Sequence, residues 1–417
     1  MSVTLNILEV GQRGDGVAIE DGQRYFVPFA LPGEVVRAKP LGKRGDGTLA
    51  ELEEVLAPSR HREQPPCAHF GTCGGCTLQH WRHDAYSAWK GQLIERALQQ
   101  RGVPVPAFEA MLVGQPAERR RVDLVARRQG KGAIAGFHER ASERIVDVAA
   151  CVVARPAINA LLAPLRTALA PVLAKGDAAD VIVNETDGGL DVLIRPHRRT
   201  ELGLESRQAL VAFAERADLA RLSWGSRAEP EPLAARRPPV LFLGEAVVEV
   251  PPGAFLQATR RAEQAMRAAV VAWTAGAGRL VDLFSGVGCL SLGGSGKAHL
   301  FDGDSAAIAA AATAARRLGA GKVVAERRDL FRHPLMASEF EKFEAVLLDP
   351  PRAGAGAQSL ELARTKVPRI VYASCDPGSF ARDARTLQEG GYRLEKLLPI
   401  DQFLWSVHVE LIALFVK

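Results

Sequence analysis

The 417-residue sequence has no apolar run of the ~18 residues needed to cross a bilayer as a helix, which excludes helical membrane spans. Its first ten residues, MSVTLNILEV, lack the basic start, apolar stretch and cleavage site of a secretory signal, so a cytoplasmic location is expected. No internal repeat is present, which excludes solenoid and propeller architectures. Charge excess is small: 53 basic against 48 acidic residues leave a net +5, a weak bias toward polyanions. Six cysteines in so long a chain do not make a disulfide scaffold and point instead to metal or catalytic thiols.

What is present is a globular composition, with 47% hydrophobic and 24% charged residues, 39 Gly and 25 Pro. At ~100 to 200 residues per domain the length implies two or three domains. The first sixty residues read as five short strands, Leu5 to Val10, Val17 to Glu20, Tyr25 to Pro28, Glu34 to Lys39 and Thr48 to Val55. Asp-Gly pairs between them supply the positive φ angles of tight hairpins. They predict an OB-like β-barrel over residues 1–58, a shape used for single-stranded nucleic acid and equally for structural appendages. Residues 59–250 predict a central α+β domain, with helices from Asp84 to Arg101, Arg155 to Leu173 and Glu205 to Leu219 and a loop from Arg227 to Pro239. Over residues 251–417 the helices Arg261 to Trp273 and Ser305 to Leu318 alternate with apolar runs at Arg279 to Phe284, His299 to Phe301, Ala345 to Leu348 and Ile370 to Ala373. That alternation predicts a doubly wound, Rossmann-like α/β domain whose ligand sits at the carboxyl ends of the strands. The expected fold class is therefore multidomain α/β.

Cys67, Cys73 and Cys76 fall within ten residues, in a stretch rich in Gly, Pro and His that has no helical or strand period of its own. Cys151 is a distant fourth thiol. Four thiolates suit zinc or an iron–sulfur cluster; three clustered thiols plus a remote one favour a [4Fe–4S] cluster over the paired doublets of structural zinc. His69, His80 and His83 are expected at the surface.

The strand ending at Leu283 runs through Phe284 into Gly286 and Gly288, where backbone can approach a nucleotide-like ligand. Ser291 and the glycine-rich residues 293–296 disfavour a pyrophosphate-binding helix. Asp302 ends the next strand, placed to accept two ribose hydroxyls; together these features describe an S-adenosyl-L-methionine pocket. Asp349 lies at another strand end, fixed by Pro350 and Pro351, which cannot continue a ladder. Cys375 follows a further strand, where this fold binds ligands, whereas Cys289 is expected to pack. Glu410 begins the apolar strand Leu411 to Val416, a costly place for a carboxylate unless it is solvated or used.

These elements resemble the RNA uracil-5-methyltransferases, the group that makes 5-methyluridine in 23S rRNA and tRNA, and the resemblance covers nearly the full length. It implies a TRAM domain for the barrel, cluster ligation by Cys67, Cys73, Cys76 and Cys151, and a methyltransferase core in the C-terminal third. The stretch from Gly136-Phe137-His138 to Ile145-Val146-Asp147 is similar to the family as well. Ser374-Cys375-Asp376-Pro377 resembles the nucleophile motif and His408-Val409-Glu410 the general-base motif. Phe255-Leu256-Gln257 resembles a Phe-x-Gln signature, which implies that Gln257 contacts the cofactor with Phe284, Gly286, Asp302 and Asp349, and Asp329 is a further candidate for the adenine edge. Asp376 stands where the family usually has Asn, Asp302 where Glu is commoner, and residues 292–297 are short and glycine-rich.

The chemistry implied is addition of the Cys375 thiolate to C6 of uracil, methylation at C5 and removal of the C5 proton by Glu410. The target base must be unstacked, so single-stranded or loop RNA is the expected substrate, rRNA first and tRNA second, of an enzyme expected to be a monomer. Residues 119–131 carry Arg119, Arg120, Arg121, Arg127, Arg128 and Lys131 against Asp123, and form either a phosphate-contacting segment or a solvated charged hairpin. Two other readings compete: cytosine-5 methylation, which also uses a thiol adduct, and a non-catalytic cluster-bearing RNA-binding protein.

Overall fold

The computed structural model describes residues 1–198, 200–294, 296–319 and 321–417, and these divide into two compact units. Unit one comprises Met1–Leu93, His138–Arg144 and Phe403–His408. Its six-stranded sheet runs in the order Val3–Asn6, Val35–Arg44, Gly47–Ala57, Gln23–Pro28, Asp15–Glu20, Glu9–Val10. Asp21 and Gly22 have φ of 48° and 75°, the two positive angles a two-residue hairpin requires. The single run expected from Leu5 to Val10 is two strands, because Ile7 leaves the ladder to exchange hydrogen bonds with Gly33 and Glu34. Leu5, Ala18, Val27, Val36 and Ala50 form its core. The Glu34 carboxylate accepts both arms of the Arg62 guanidinium at 2.6 and 2.7 Å and the Leu31 N–H at 2.8 Å, anchoring the start of the cysteine-bearing loop.

Unit two holds Ile94–Phe137, Ile145–Gln402 and Val409–Lys417. Its first seven-stranded sheet has the order Pro230–Ala235, Arg221–Gly225, Gly189–Pro196, Ala178–Thr186, Arg121–Gln129, Gly132–His138, Ile145–Asp147. Leu161, Leu165 and Leu169 of the helix Pro156–Val172 and Phe213 of the helix Leu204–Arg216 pack on Val181, Val183 and Val192. The loop expected from Arg227 to Pro239 contains an edge strand, Pro230–Ala235; prolines hide such a strand from a sequence pattern, yet on an edge their missing N–H need not interrupt the ladder.

The second seven-stranded sheet has the order Val323–Arg327, Lys297–Asp302, Arg279–Leu283, Ala345–Leu348, Arg369–Ser374, Glu410–Val416, Arg393–Ile400. The first five strands are parallel, and Glu410–Val416 is antiparallel to both its neighbours. Val346, Leu348, Ile370 and Tyr372 pack with Phe380, Ala384 and Leu387 of the helix Pro377–Glu389, while the alternate residues Leu347, Val371, Ala373 and Ile412 pack with Met266, Val270 and Trp273 of the helix Arg260–Trp273. Burial on both faces is why these strands read as continuous apolar runs. Among the described residues no helix is long and apolar enough to cross a membrane.

Candidate active site

One topological fact gathers the site in unit two. Phe284, Asp302, Asp349 and Cys375 all stand at the carboxyl ends of parallel strands; because the strand beginning at Glu410 runs antiparallel, its amino end lies at that same edge, with Leu411 opposite Ser374 and Glu410 opposite Ile400. Phe284 takes φ 61°, unusual for a bulky side chain, and Gly286 and Gly288 follow at 55° and 83°. A Cβ on Gly288 would lie 2.6 Å from the Leu292 side chain, whereas one on Gly286 would meet nothing within 4 Å: the first glycine faces open space, the second a packed interior. Asp302 is half-buried and accepts the Gly286 N–H at 2.8 Å and the Asp304 N–H at 2.7 Å, so it fixes the glycine turn. Phe331 packs against the Phe284 ring at 5.3 Å between centroids. Asp329 accepts the Phe331 N–H at 3.1 Å and so shapes the turn that presents that ring.

Residues 286–294 form turns rather than a helix. Gly293 explains the glycine-rich departure here: a Cβ on it would sit 1.8 Å from the Leu243 carbonyl oxygen, so the hairpin Val240–Leu243 and Ala246–Glu249 packs where a side chain would stand. Asp376 is the N-cap of the helix Pro377–Glu389, its carboxylate accepting the Ser379 N–H at 2.8 Å. Asn and Asp cap equally well, so that substitution leaves the local structure intact.

A buried row of polar side chains joins the carboxyls of Asp349 and Glu410. Gln257 donates to Asp349 at 3.0 Å, Gln402 donates to the Gln257 side-chain oxygen at 2.9 Å, and Gln402 also donates to Glu410 at 2.8 Å. Arg120 is only 2% exposed, paired with Glu263 and donating to the Gln257 carbonyl at 3.1 Å. It is therefore a buried brace, which removes it from the expected phosphate-contacting segment. The rest of that segment is the hairpin of Arg121–Gln129 and Gly132–His138, with Arg121 paired to Asp123. Gln402 and Phe331 escaped the sequence reading because each lies in irregular chain, where no period marks the side chain, and Arg120 was read as part of a basic segment because its partners Gln257 and Glu263 are more than 130 residues away.

Electrostatically the site is rich in acids and poor in cations. Burial pushes the Asp282 carboxyl up to about 8 and, with repulsion from Asp302, that of Asp349 up to about 7. Burial and Asp349 raise Glu410 well above the usual carboxylate range. The Cys375 thiol is half-buried and pushed up to about 12 by burial and by Glu410 and Asp349, with Arg352 opposing. Asp282 Oδ1 and Ser285 Oγ are buried without a hydrogen-bond partner among the described residues. Cys289 packs, as expected, beside Glu263, its thiol raised by burial.

In unit one, Cys67, Cys73 and Cys76 are half-buried on a loop, and Cys73 Sγ accepts the Gly75 N–H at 3.5 Å, a contact suited to a thiolate. Among the described residues no three His, Cys, Asp or Glu side chains are gathered as a metal-holding group. His80 is not at the surface: it is 1% exposed against Phe29 and Phe70, and burial and Arg62 push it down to about 3. In unit two, the Cys151 N–H donates to Asn159 at 2.8 Å.

Residues 314–417 match the model of the tRNA (uracil-5-)-methyltransferase family. An uncharacterized RNA methyltransferase of Brucella suis is 43% identical, covering 99% of this chain and 97% of its own. The 23S rRNA (uracil(1939)-C(5))-methyltransferase RlmD of Chromohalobacter salexigens is 33% identical, covering 99% and 89%. The solved structure of Pyrococcus abyssi tRNA (uracil-54, C5)-methyltransferase in complex with S-adenosyl-L-homocysteine matches with a TM-score of 0.75 at 21% identity, covering 99% of this chain and all of that one, and so shares the fold. On these relatives and on the grouping of thiol, carboxylates and glycine turn at one sheet edge, the chain belongs to the RNA uracil-5-methyltransferase family.

Proposed function

We propose that the protein methylates carbon 5 of uracil in RNA, with S-adenosyl-L-methionine as methyl donor and 23S rRNA as substrate, through a covalent Cys375 adduct resolved by Glu410. The observation that carries the reading is the convergence of Cys375, Glu410 and Asp349 on one sheet edge beside a glycine turn. The donor would supply a methyl group activated on a sulfonium. Gly286, Phe284, Asp302, Asp349 and Gln257 would hold it, and the excess of carboxyls fits its positive charge. Cys375 Sγ bonds to C6 of the ring, and the electron pair so released makes C5 nucleophilic toward methyl. Glu410 then takes the C5 proton, and re-formation of the C5–C6 double bond expels the thiolate.

Cys375→Ser is expected to abolish methylation, and Glu410→Gln to accumulate a protein–RNA adduct that survives denaturation. Normal turnover by the serine variant ends the nucleophile assignment. Mapping of 5-methyluridine in rRNA and tRNA from a deletion strain identifies the substrate; loss from tRNA alone would replace rRNA by the substrate class named for the archaeal structure.

The reading extends to the domains: residues 1–58 as a TRAM domain, 59–250 as the central domain and 251–417 as the Rossmann-like methyltransferase domain. Cys67, Cys73, Cys76 and Cys151 would hold a [4Fe–4S] cluster, which would supply iron–thiolate bonds to order a loop without a helical or strand period. Iron and acid-labile sulfide near four atoms each per chain, lost in Cys73→Ser, test that assignment.

A further inference from the structure

Glu410 depends on one side chain for its hydrogen bonding among the described residues, and that side chain is Gln402. Gln402 is 4% exposed and lies two residues beyond the strand Arg393–Ile400, whose last residue pairs with Glu410 in the sheet. Its amide has one workable orientation. The backbone N–H of Ala258 donates to Gln402 Oε1 at 2.8 Å, so the oxygen must face Ala258 and the NH2 group must face the other way. Its two N–H bonds then go to Glu410 and to the Gln257 side-chain oxygen, and this in turn turns the Gln257 NH2 toward Asp349. One backbone donor thereby sets the polarity of the whole row. The Arg120 guanidinium, held by Glu263, donates to the Gln257 carbonyl and keeps the row from sliding.

We infer that Gln402 is a positioning residue: it aims Glu410 at the pyrimidine and, through Gln257, couples the base to the cofactor side of the pocket. The inference rests on the function proposed above. The groups facing Glu410 are Asp349 at the end of Ala345–Leu348, Cys375 at the end of Arg369–Ser374, and Gln402 itself. The two acidic groups disfavour the carboxylate, and the neutral N–H donor of Gln402 is what favours it. Removing that donor leaves Glu410 harder to ionise, so the acid limb of the step that consumes the C5 proton moves to higher pH.

The test uses the full-length enzyme with an RNA substrate and S-adenosyl-L-methionine, comparing Gln402→Met, which keeps volume, with Gln402→Glu, which keeps an acceptor for Ala258 but presents no amide N–H to Glu410. Expected in both variants are a roughly 10- to 100-fold fall in kcat, accumulation of the covalent adduct and an acid limb displaced upward, with a smaller rise in KM for the methyl donor as Gln257 loses the group that orients it. Full activity with the parent pH profile in either variant overturns the inference, as does a loss confined to KM. Glu410→Gln in the same assay separates the two proposals: if it traps the adduct and the Gln402 variants do not, the positioning role fails alone, and if it traps none, the assignment of the base fails.

Discussion

Asp282 is buried beneath the glycine turn with a single hydrogen bond among the described residues, from Ser291 Oγ, and it keeps its proton where an ordinary aspartate has lost it. A carboxyl raised in the folded state favours folding fully below its unfolded value, and that contribution is lost as pH rises through the folded value. The unfolded chain ionises near 3.8 and the folded one near 8, so the ligand-free protein is expected to lose stability across that window. Asp349 and Glu410 act in the same direction. Asp282→Asn should flatten the dependence of Tm on pH between about 4 and 8; a parallel curve for the variant rejects the assignment. Arg120 poses the converse case. Arg120→Met strands Glu263 in the interior and should destabilise by about 3 to 5 kcal/mol in chemical denaturation, with Glu263→Gln recovering part of the loss.

At the scale of elements, two glycines of one turn-rich segment are expected to fail differently. Gly293→Ala drives a methyl group into the Leu243 carbonyl at φ 73° and should cost at least about 2 kcal/mol in stability. Gly286→Ala meets no protein atom, so its larger effect should be on affinity for the methyl donor, read by calorimetry. Four of the five parallel strands were legible because each is a short apolar run, and their ends also located Phe284, Asp302, Asp349 and Cys375; the fifth, Val323–Arg327, was not, because it lies at the sheet edge, is largely exposed and ends in Glu326 and Arg327. The edge strand Pro230–Ala235 was not, since its residues carry no alternation and only its neighbour Arg221–Gly225 makes it a strand. Gln402 was hidden for a related reason: its role is defined by Ala258, Gln257 and Glu410, none of them within its own turn of chain. His80 misled in the opposite sense, because a Gly- and Cys-rich stretch suggests exposure while Phe29 and Phe70 enclose the ring.

For the whole molecule, the +5 net charge is too small to bind RNA by itself, so local basic residues must carry the interaction. With Arg120 committed to the interior, Arg121, Arg127 and Lys131 are the segment's testable contacts. Replacing all three by Ala should lower the slope of log affinity against log salt by roughly 2 to 3; an unchanged slope makes the hairpin a solvated face. The acid-rich floor at the sheet edge carries a last consequence. If the proposed methyl donor binds there, its positive charge would let Asp349 or Glu410 shed a proton to the medium, and once the methyl group has gone the spent thioether is neutral and a proton would return to that carboxyl. Each catalytic cycle would thus breathe protons in and out, and a weakly buffered indicator dye would register acidification on mixing with the sulfonium and none with the thioether.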